Sequence, residues 1–188
     1  MCSSDLVLAE VRPSHVVHLA ARVGGIGYNQ VDPARLYLDN LLMGTYVIEA
    51  ARATGVEKTV LLGTVCSYPK FTPVPFREES LWDGYPEETN APYGVAKKAH
   101  LLHAQVNAQQ YGQRFAYLIP TNLYGPGDKF HPSVSHVIPA LIKKCVEARE
   151  SGARHIDVWG TGSASREYLY VDDAASAIVL AAENHDGT

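Results

Sequence analysis

Charge and cysteine are both scarce in this sequence, and each shortage removes a class of function. Only 19% of its 188 residues are charged, and sixteen Lys and Arg against twenty Asp and Glu leave a net charge of −4. A protein that binds nucleic acid through counterion release carries a basic excess, and none is present. The three cysteines, Cys2, Cys66 and Cys145, are odd in number and far apart. They form neither a disulfide framework nor a CxxC zinc pair, so the expectation is a reduced, cytoplasmic protein without a metal site. No apolar run approaches the roughly 18 residues a membrane-spanning helix needs. Met1 to Leu6 lacks a positive cluster, and Glu10 and Arg12 interrupt the next apolar stretch, which argues against a signal peptide. Fixed-period repeats and low-complexity tracts are missing too, so a solenoid and a linker are set aside.

A composition 46% hydrophobic is enough for a packed core. Short β-branched runs alternate with longer helical stretches. His15 to Ala20, Thr59 to Leu62, Phe115 to Ile119 and Ile156 to Trp159 read as strands, bounded by Pro13, Gly63, Pro120 and Gly160. Leu36 to Ala53, Ala91 to Tyr111, His136 to Glu150 and Val171 to Asn184 read as helices, the first three followed by Gly55, Gly112 and Gly152. Buried strands separated by helices predict a parallel sheet covered on both faces. Cys66 to Asn90 breaks the rhythm with Pro69, Pro73, Pro75 and Pro86. It leaves the carboxyl end of a strand, where α/β proteins place ligands. The dinucleotide fingerprint G-x-G-x-x-G is absent: Gly160-Thr161-Gly162 continues to Ser165 and Arg166, and Gly24-Gly25-Ile26-Gly27 has the wrong spacing.

Tyr93-Gly94-Val95-Ala96-Lys97 places a phenol and an ammonium one turn apart on a helix. A nearby Lys⁺ favours phenolate, so the spacing predicts a tyrosine whose pKa falls from about 10 toward working pH. Such a group suits proton exchange with a carbonyl/alcohol pair; taken alone, the same spacing fits an ordinary surface contact. Thr64, at the end of the second strand, offers a hydroxyl about 30 residues earlier.

Together these features resemble the short-chain dehydrogenase/reductase superfamily. The helix containing Asn40, Pro120 to Pro126 and Arg166 to Asp173 are similar to its extended, nucleotide-sugar branch. Within that branch Ala20 to Ile26, Cys66 to Lys70, Asn122 to Pro126 and Phe130 to Leu141 resemble the GDP-L-fucose synthase family. The resemblance implies an α/β protein with a Rossmann-like doubly wound parallel sheet, and part of a small C-terminal substrate domain. Residues 1–125 would be a partial NADP-binding domain with the catalytic Tyr and Lys. Residues 126–188 would be a partial substrate-binding region plus returning Rossmann elements.

The implied activity is NADPH-dependent epimerisation of GDP-4-dehydro-6-deoxy-D-mannose at C3 and C5, then reduction of its C4 ketone to give GDP-L-fucose. Cys66 and His136 match the proton-transfer pair, Tyr93 the C4 proton donor, Thr64 its partner, and Lys97 the residue that holds the nicotinamide ribose. Cofactor contacts carried over are Leu62, Gly63, Thr64, Val65, Lys97, Pro120, Thr121, Asn122, Leu123 and His136; substrate contacts are Lys144, Trp159 and Arg166. Read without the family, Cys66 also fits a small buried hydrophobe, His136 a helix-terminus residue, Trp159 a core residue and Arg166 a solvated one. The partners implied are a GDP-sugar and a second copy of the chain, through the helices over 36–53 and 91–111.

Three departures stand out. Thr64 replaces the family's usual Ser, and Lys144 its usual Arg, so a forked phosphate contact becomes a point charge. The family's first strand, glycine-rich loop, first helix and second strand precede everything here, and Met1 to Asp5 match nothing in it. The expectation is a chain truncated at both ends, without its main pyrophosphate anchor. Competing readings are a nucleotide-sugar 4-epimerase or 4,6-dehydratase, which shares Thr64, Tyr93 and Lys97 but does not call for Cys66 and His136, and a catalytically inactive fragment.

Overall fold

The computed structural model describes residues 3–24, 26–132, 134–158, 160–163 and 165–187. Strands β1 (His15–His18), β2 (Lys58–Leu62) and β3 (Arg114–Leu118) form a parallel sheet in that order, with Val17 opposite Val60 and Val60 opposite Ala116. Alternation along the strands sorts side chains to two faces. Leu61, Phe115 and Tyr117 pack with Ile48 of α3 (Pro33–Thr54) and Leu101 and Ala104 of α4 (Ala91–Tyr111). Val60 and Ala116 face the other way and meet Ala181 of α6 (Val171–Asn184). Helices thus cover both faces of β2 and β3, as their near-continuous apolar runs require, while Val17 of β1 stays exposed on the α6 side; the architecture is Rossmann-like α/β.

Helix ends follow local chemistry. Pro33 sits in the first turn of α3, where its missing N–H costs nothing, and the helix begins three residues before its apolar periodicity does. Gly55 and Gly112 close α3 and α4 in the left-handed region, with φ of 74° and 69°.

Elsewhere the structure corrects the sequence reading. Helices α1 (Ser3–Val11), packed against α3, and α2 (Ile26–Val31) were not foreseen. Neither were β4 (Asn122–Tyr124) and β5 (Tyr168–Tyr170), which pair in parallel as a separate two-stranded sheet. The strand expected over 156–159 does not form at 156–158, where the chain runs irregularly beyond α5 (Val137–Ser151). Among the described residues no ladder partner reaches it; instead Lys144 Nζ donates to the Asp157 carbonyl at 2.6 Å.

The chain after α6 returns to the sheet. Gly187 N–H donates to the Phe115 carbonyl at 2.6 Å, and the Gly187 carbonyl accepts from Tyr117 N–H at 2.9 Å. Lys58, fully buried, draws this segment in: its Nζ donates to the Ala181 carbonyl at 2.8 Å and lies 3.2 Å from Asp186. Arg114 pairs with the same carboxylate.

Gly63, just past β2, lies against the Tyr117 ring, whose hydroxyl donates to the Lys97 carbonyl at 2.9 Å. A Cβ at Gly63 has no room beside that ring. Gly63→Ala is therefore expected to lower the unfolding free energy by about 1–3 kcal/mol, read from urea denaturation.

Candidate functional site

The site grows from the carboxyl end of β2. Thr64 Oγ1 accepts the Cys66 N–H at 3.2 Å and caps the single 3-10 turn of Val65–Ser67. Ser67, fully buried, donates its hydroxyl to the Gly94 carbonyl at 2.9 Å. Gly94 has no side chain, and a Cβ there would strike the Cys66 carbonyl. The first turn of α4 therefore sits directly on the Cys66 turn and brings Tyr93 and Lys97 beside it. Of the residues that sequence reading singled out, Thr64, Cys66, Tyr93 and Lys97 converge here.

Burial sets the electrostatics. The Tyr93 phenol is pushed up to about 12, mainly by burial and further by Cys66. Lys97, 2% exposed, is lowered to about 8 by burial. The expected fall in the tyrosine pKa is therefore corrected. The Lys97 ammonium lies over the face of the Tyr93 ring, 5.8 Å from its centroid, and loss of water around the phenol outweighs that attraction. At neutral pH the tyrosine keeps its proton and most of the lysine stays charged. Burial also raises the Cys66 thiol, opposed by Thr64.

Two buried histidines adjoin this group, and the sequence reading did not pick them out. His18 at the end of β1 and His100 on α4 meet edge to face, with centroids 6.4 Å apart. His100 Nε2 donates to the Leu41 carbonyl at 3.1 Å; His18 Nε2 has no partner among the described residues. Burial, Lys97 and neighbouring histidines lower both to about 4. His18 lines an open cavity of about 750 Å³ with Ala20, Ala21, Arg22, Asp39 and Met43. Buried Asn40 holds its rim: Oδ1 accepts from Arg22 N–H and Nδ2 donates to the Arg22 carbonyl, both at 2.9 Å. The signal available in the sequence was a strand end followed by two small residues, Ala20-Ala21.

The remaining candidates stand apart. His136 is exposed before α5, and no hydrogen bond joins it to Cys66, Tyr93 or Lys97. Lys144 points to Asp157, Arg166 is exposed and donates to the Ser165 carbonyl, and Trp159 lies outside the described residues. Leu62, Gly63 and Val65 belong to the β2 end; Pro120, Thr121, Asn122 and Leu123 follow β3, with Asn122 donating to the Glu167 carbonyl at 2.9 Å. Among the described residues no cluster of His, Cys, Asp and Glu could hold a metal ion, and no helix is long and apolar enough to cross a membrane.

Comparison with known proteins shows the family. The model of the NAD dependent epimerase/dehydratase family matches residues 3–188. A probable GDP-L-fucose synthase 1 of Oryza sativa subsp. japonica is 47% identical over 93% of this chain and 54% of its own length. The GDP-L-fucose synthase of Escherichia coli (strain K12) is 43% identical over 91% and 53%. The crystal structure of a GDP-L-fucose synthetase from Naegleria fowleri bound to NADP superposes with a TM-score of 0.84 at 33% identity, covering 94% of this chain and 58% of that one. The chain thus spans about half the length of the curated relatives it matches.

The histidines predict an acid-sensitive fold. Their folded pKa of about 4 lies below the unfolded 6.5. The unfolded chain therefore takes up protons first as pH falls through that window, and stability drops. Each contributes on the order of 2–3 kcal/mol, fully lost once the pH is below the folded value. Urea midpoints measured between pH 7 and 4 should fall, and His18→Leu should flatten the fall.

Proposed function

This chain belongs to the NAD dependent epimerase/dehydratase family, and on that footing we propose that it carries the chemistry of a GDP-L-fucose synthase. The reaction is NADPH-dependent 3,5-epimerisation of GDP-4-dehydro-6-deoxy-D-mannose followed by reduction at C4. The observation that carries this reading is the convergence of Thr64, Cys66, Tyr93 and Lys97 at the carboxyl end of β2, with a thiol where a simple reductase needs none.

Protons next to the C4 ketone must leave one face of the sugar and return on the other, so the site needs both a base and an acid. Cys66 is one of the pair and His136, on the approach to α5, is the other. Tyr93 then gives its proton to the C4 oxygen; a phenol held fully protonated at neutral pH serves that step. Thr64 adds a second hydrogen bond to the same oxygen.

The residues present fit a nicotinamide cofactor: Lys97 is a buried ammonium lying over the Tyr93 ring, and His18 is a buried imidazole facing a cavity with one nitrogen unpaired among the described residues. Lys97 would hold the ribose, with Leu62 to Val65, Pro120 to Leu123 and His136 around it. When bound, NADPH supplies the hydride for C4. Lys144, Trp159 and Arg166 would hold the GDP-sugar. Residues 1–125 would thus hold most of the cofactor contacts with Tyr93 and Lys97, and residues 126–188 the substrate contacts together with His136 and the returning Rossmann elements.

Exposed Leu38 and Tyr46 on α3 and Leu102 and Val106 on α4 support a homodimer through these helices; light scattering showing only monomer at high concentration would exclude it. An unpaired Cys66 thiol calls for a reducing compartment, which supports a cytoplasmic location.

The decisive experiment incubates the chain with the keto sugar nucleotide and NADPH in D₂O. Deuterium at both C3 and C5 is expected; incorporation at neither would leave a 4-epimerase or dehydratase if the chain still binds NADPH, and a catalytically inactive fragment if it does not. Tyr93→Phe should slow C4 reduction about 10²-fold or more while C3/C5 exchange continues, and Cys66→Ala should stop the exchange. NADPH fluorescence should titrate with micromolar affinity and weaken at least tenfold in Lys97→Met.

A further inference from the structure

The loop between β2 and α4 ends on a carboxylate with more partners than a surface glutamate needs. Glu87 Oε1 accepts the Thr89 N–H at 3.1 Å. Its Oε2 accepts from Thr89 Oγ1 at 2.6 Å, Asn90 N–H at 3.1 Å and Asn90 Nδ2 at 2.8 Å. The Glu87 carbonyl accepts from the N–H groups of Asn90 and Ala91, at 3.0 and 2.7 Å. Asn90 precedes α4, so side chain and backbone of Glu87 both engage the turn that presents Tyr93.

The fold also runs the segment before Glu87 alongside the segment after Cys66. Pro69 and Pro86 form an antiparallel bridge, and Lys70 N–H donates to the Tyr85 carbonyl at 3.0 Å, so the chain leaving Cys66 runs back alongside the chain entering α4. From the other side, Ser67 and Gly94 clamp the helix onto the Cys66 turn.

We infer that Glu87 is the positioning residue of the proton-transfer site, fixing the turn that leads into α4 and holding a negative charge on the side of the site where the Cys66 thiol lies. This rests on the reading of Cys66 as a proton-transfer group. The donors around Glu87, led by Thr89, keep its carboxyl below the usual range, so it is ionised at neutral pH. Burial raises the Cys66 thiol, Thr64 draws it back, and the Glu87 charge raises it again. The other ionisable groups at the thiol are Tyr93 on α4, protonated at neutral pH, and Lys97 one turn on, directed over the Tyr93 ring. Glu88 turns away to pair with Lys70 at 2.9 Å. A thiol kept protonated in the resting site is shielded from oxidation and adventitious alkylation.

The test needs neither substrate nor cofactor, so it can fail independently of the deuterium experiment. Iodoacetamide alkylation of Cys66 is followed by mass spectrometry of its peptide across pH 6 to 10, in the full chain and its variants. In Glu87→Gln, which keeps an acceptor oxygen for Asn90, the midpoint of the rate profile should fall, and the rate at neutral pH should rise about threefold with the alkaline plateau unchanged. A second neutral variant, Glu87→Ser, should reproduce the fall; Glu87→Asp and Glu88→Gln should keep the parental midpoint. An unmoved midpoint in Glu87→Gln, even with a higher plateau, would report loop opening alone and overturn the assignment. So would an equal shift in Glu88→Gln, which would report net charge.

Discussion

The contact on which the site depends is backbone against backbone: the first turn of α4 resting on the turn after β2. Gly94 makes it possible by having no Cβ where the Cys66 carbonyl sits, and Ser67 closes it with one buried hydrogen bond. Everything else in the site is registered from that contact. Tyr93 and Lys97 flank Gly94 on the helix, Cys66 and Thr64 sit on the turn, and Tyr117 ties β3 to the Lys97 carbonyl. A helix displaced by the width of one methyl group would carry the phenol and ammonium away from the thiol together, a misplacement that proton transfer does not tolerate.

That close contact also excludes water, and dryness governs the charges. Phenol, thiol, ammonium and two imidazoles share a small region, and burial drives each toward its neutral form. The result is a tyrosine that stores a proton, a lysine near its titration point, and histidines that stay neutral until the solution is well acid. This arrangement is costly for the fold, since buried polar groups without partners destabilise it. His18 Nε2 is such a group among the described residues. Sites that bind polar ligands often retain this kind of unfulfilled hydrogen-bonding capacity.

The cost is offset by the packing of α3 against α4. Glu49 on α3 is held down to about 2 by Arg52, Asn107 and His103, accepting hydrogen bonds from all three. His100 fits over Gly44, where a side chain would leave no space, and reaches the Leu41 carbonyl. The two long helices therefore behave as one layer, with apolar residues left on the outer side.

Much of this was legible in the residue order. The bounds of α4 and α6, the helices α3 and α5 to within a few residues and the three parallel strands follow from periodicity and from glycine stops, because each is a local property of consecutive residues. Thr64, Cys66, Tyr93 and Lys97, which converge at the end of β2, were likewise singled out from spacing and resemblance. The paired strands Asn122–Tyr124 and Tyr168–Tyr170 were not, because three-residue strands carry no periodic signal and exist only through each other. The strand expected near 156–159 failed at its described positions for the converse reason: β-branched residues without a neighbouring edge have nothing to pair with. The protonation states belong to the tertiary structure alone. Sequence spacing puts Lys97 one turn from Tyr93 and argues for an acidified phenol; only the packed fold determines that the ammonium lies over the ring face and that lost hydration raises the phenol instead. Order along the chain set Lys97 one turn from Tyr93 and Thr64 beside Cys66; the fold joined the two pairs and added the histidines, and burial, which no short stretch of sequence encodes, determined what charge they carry.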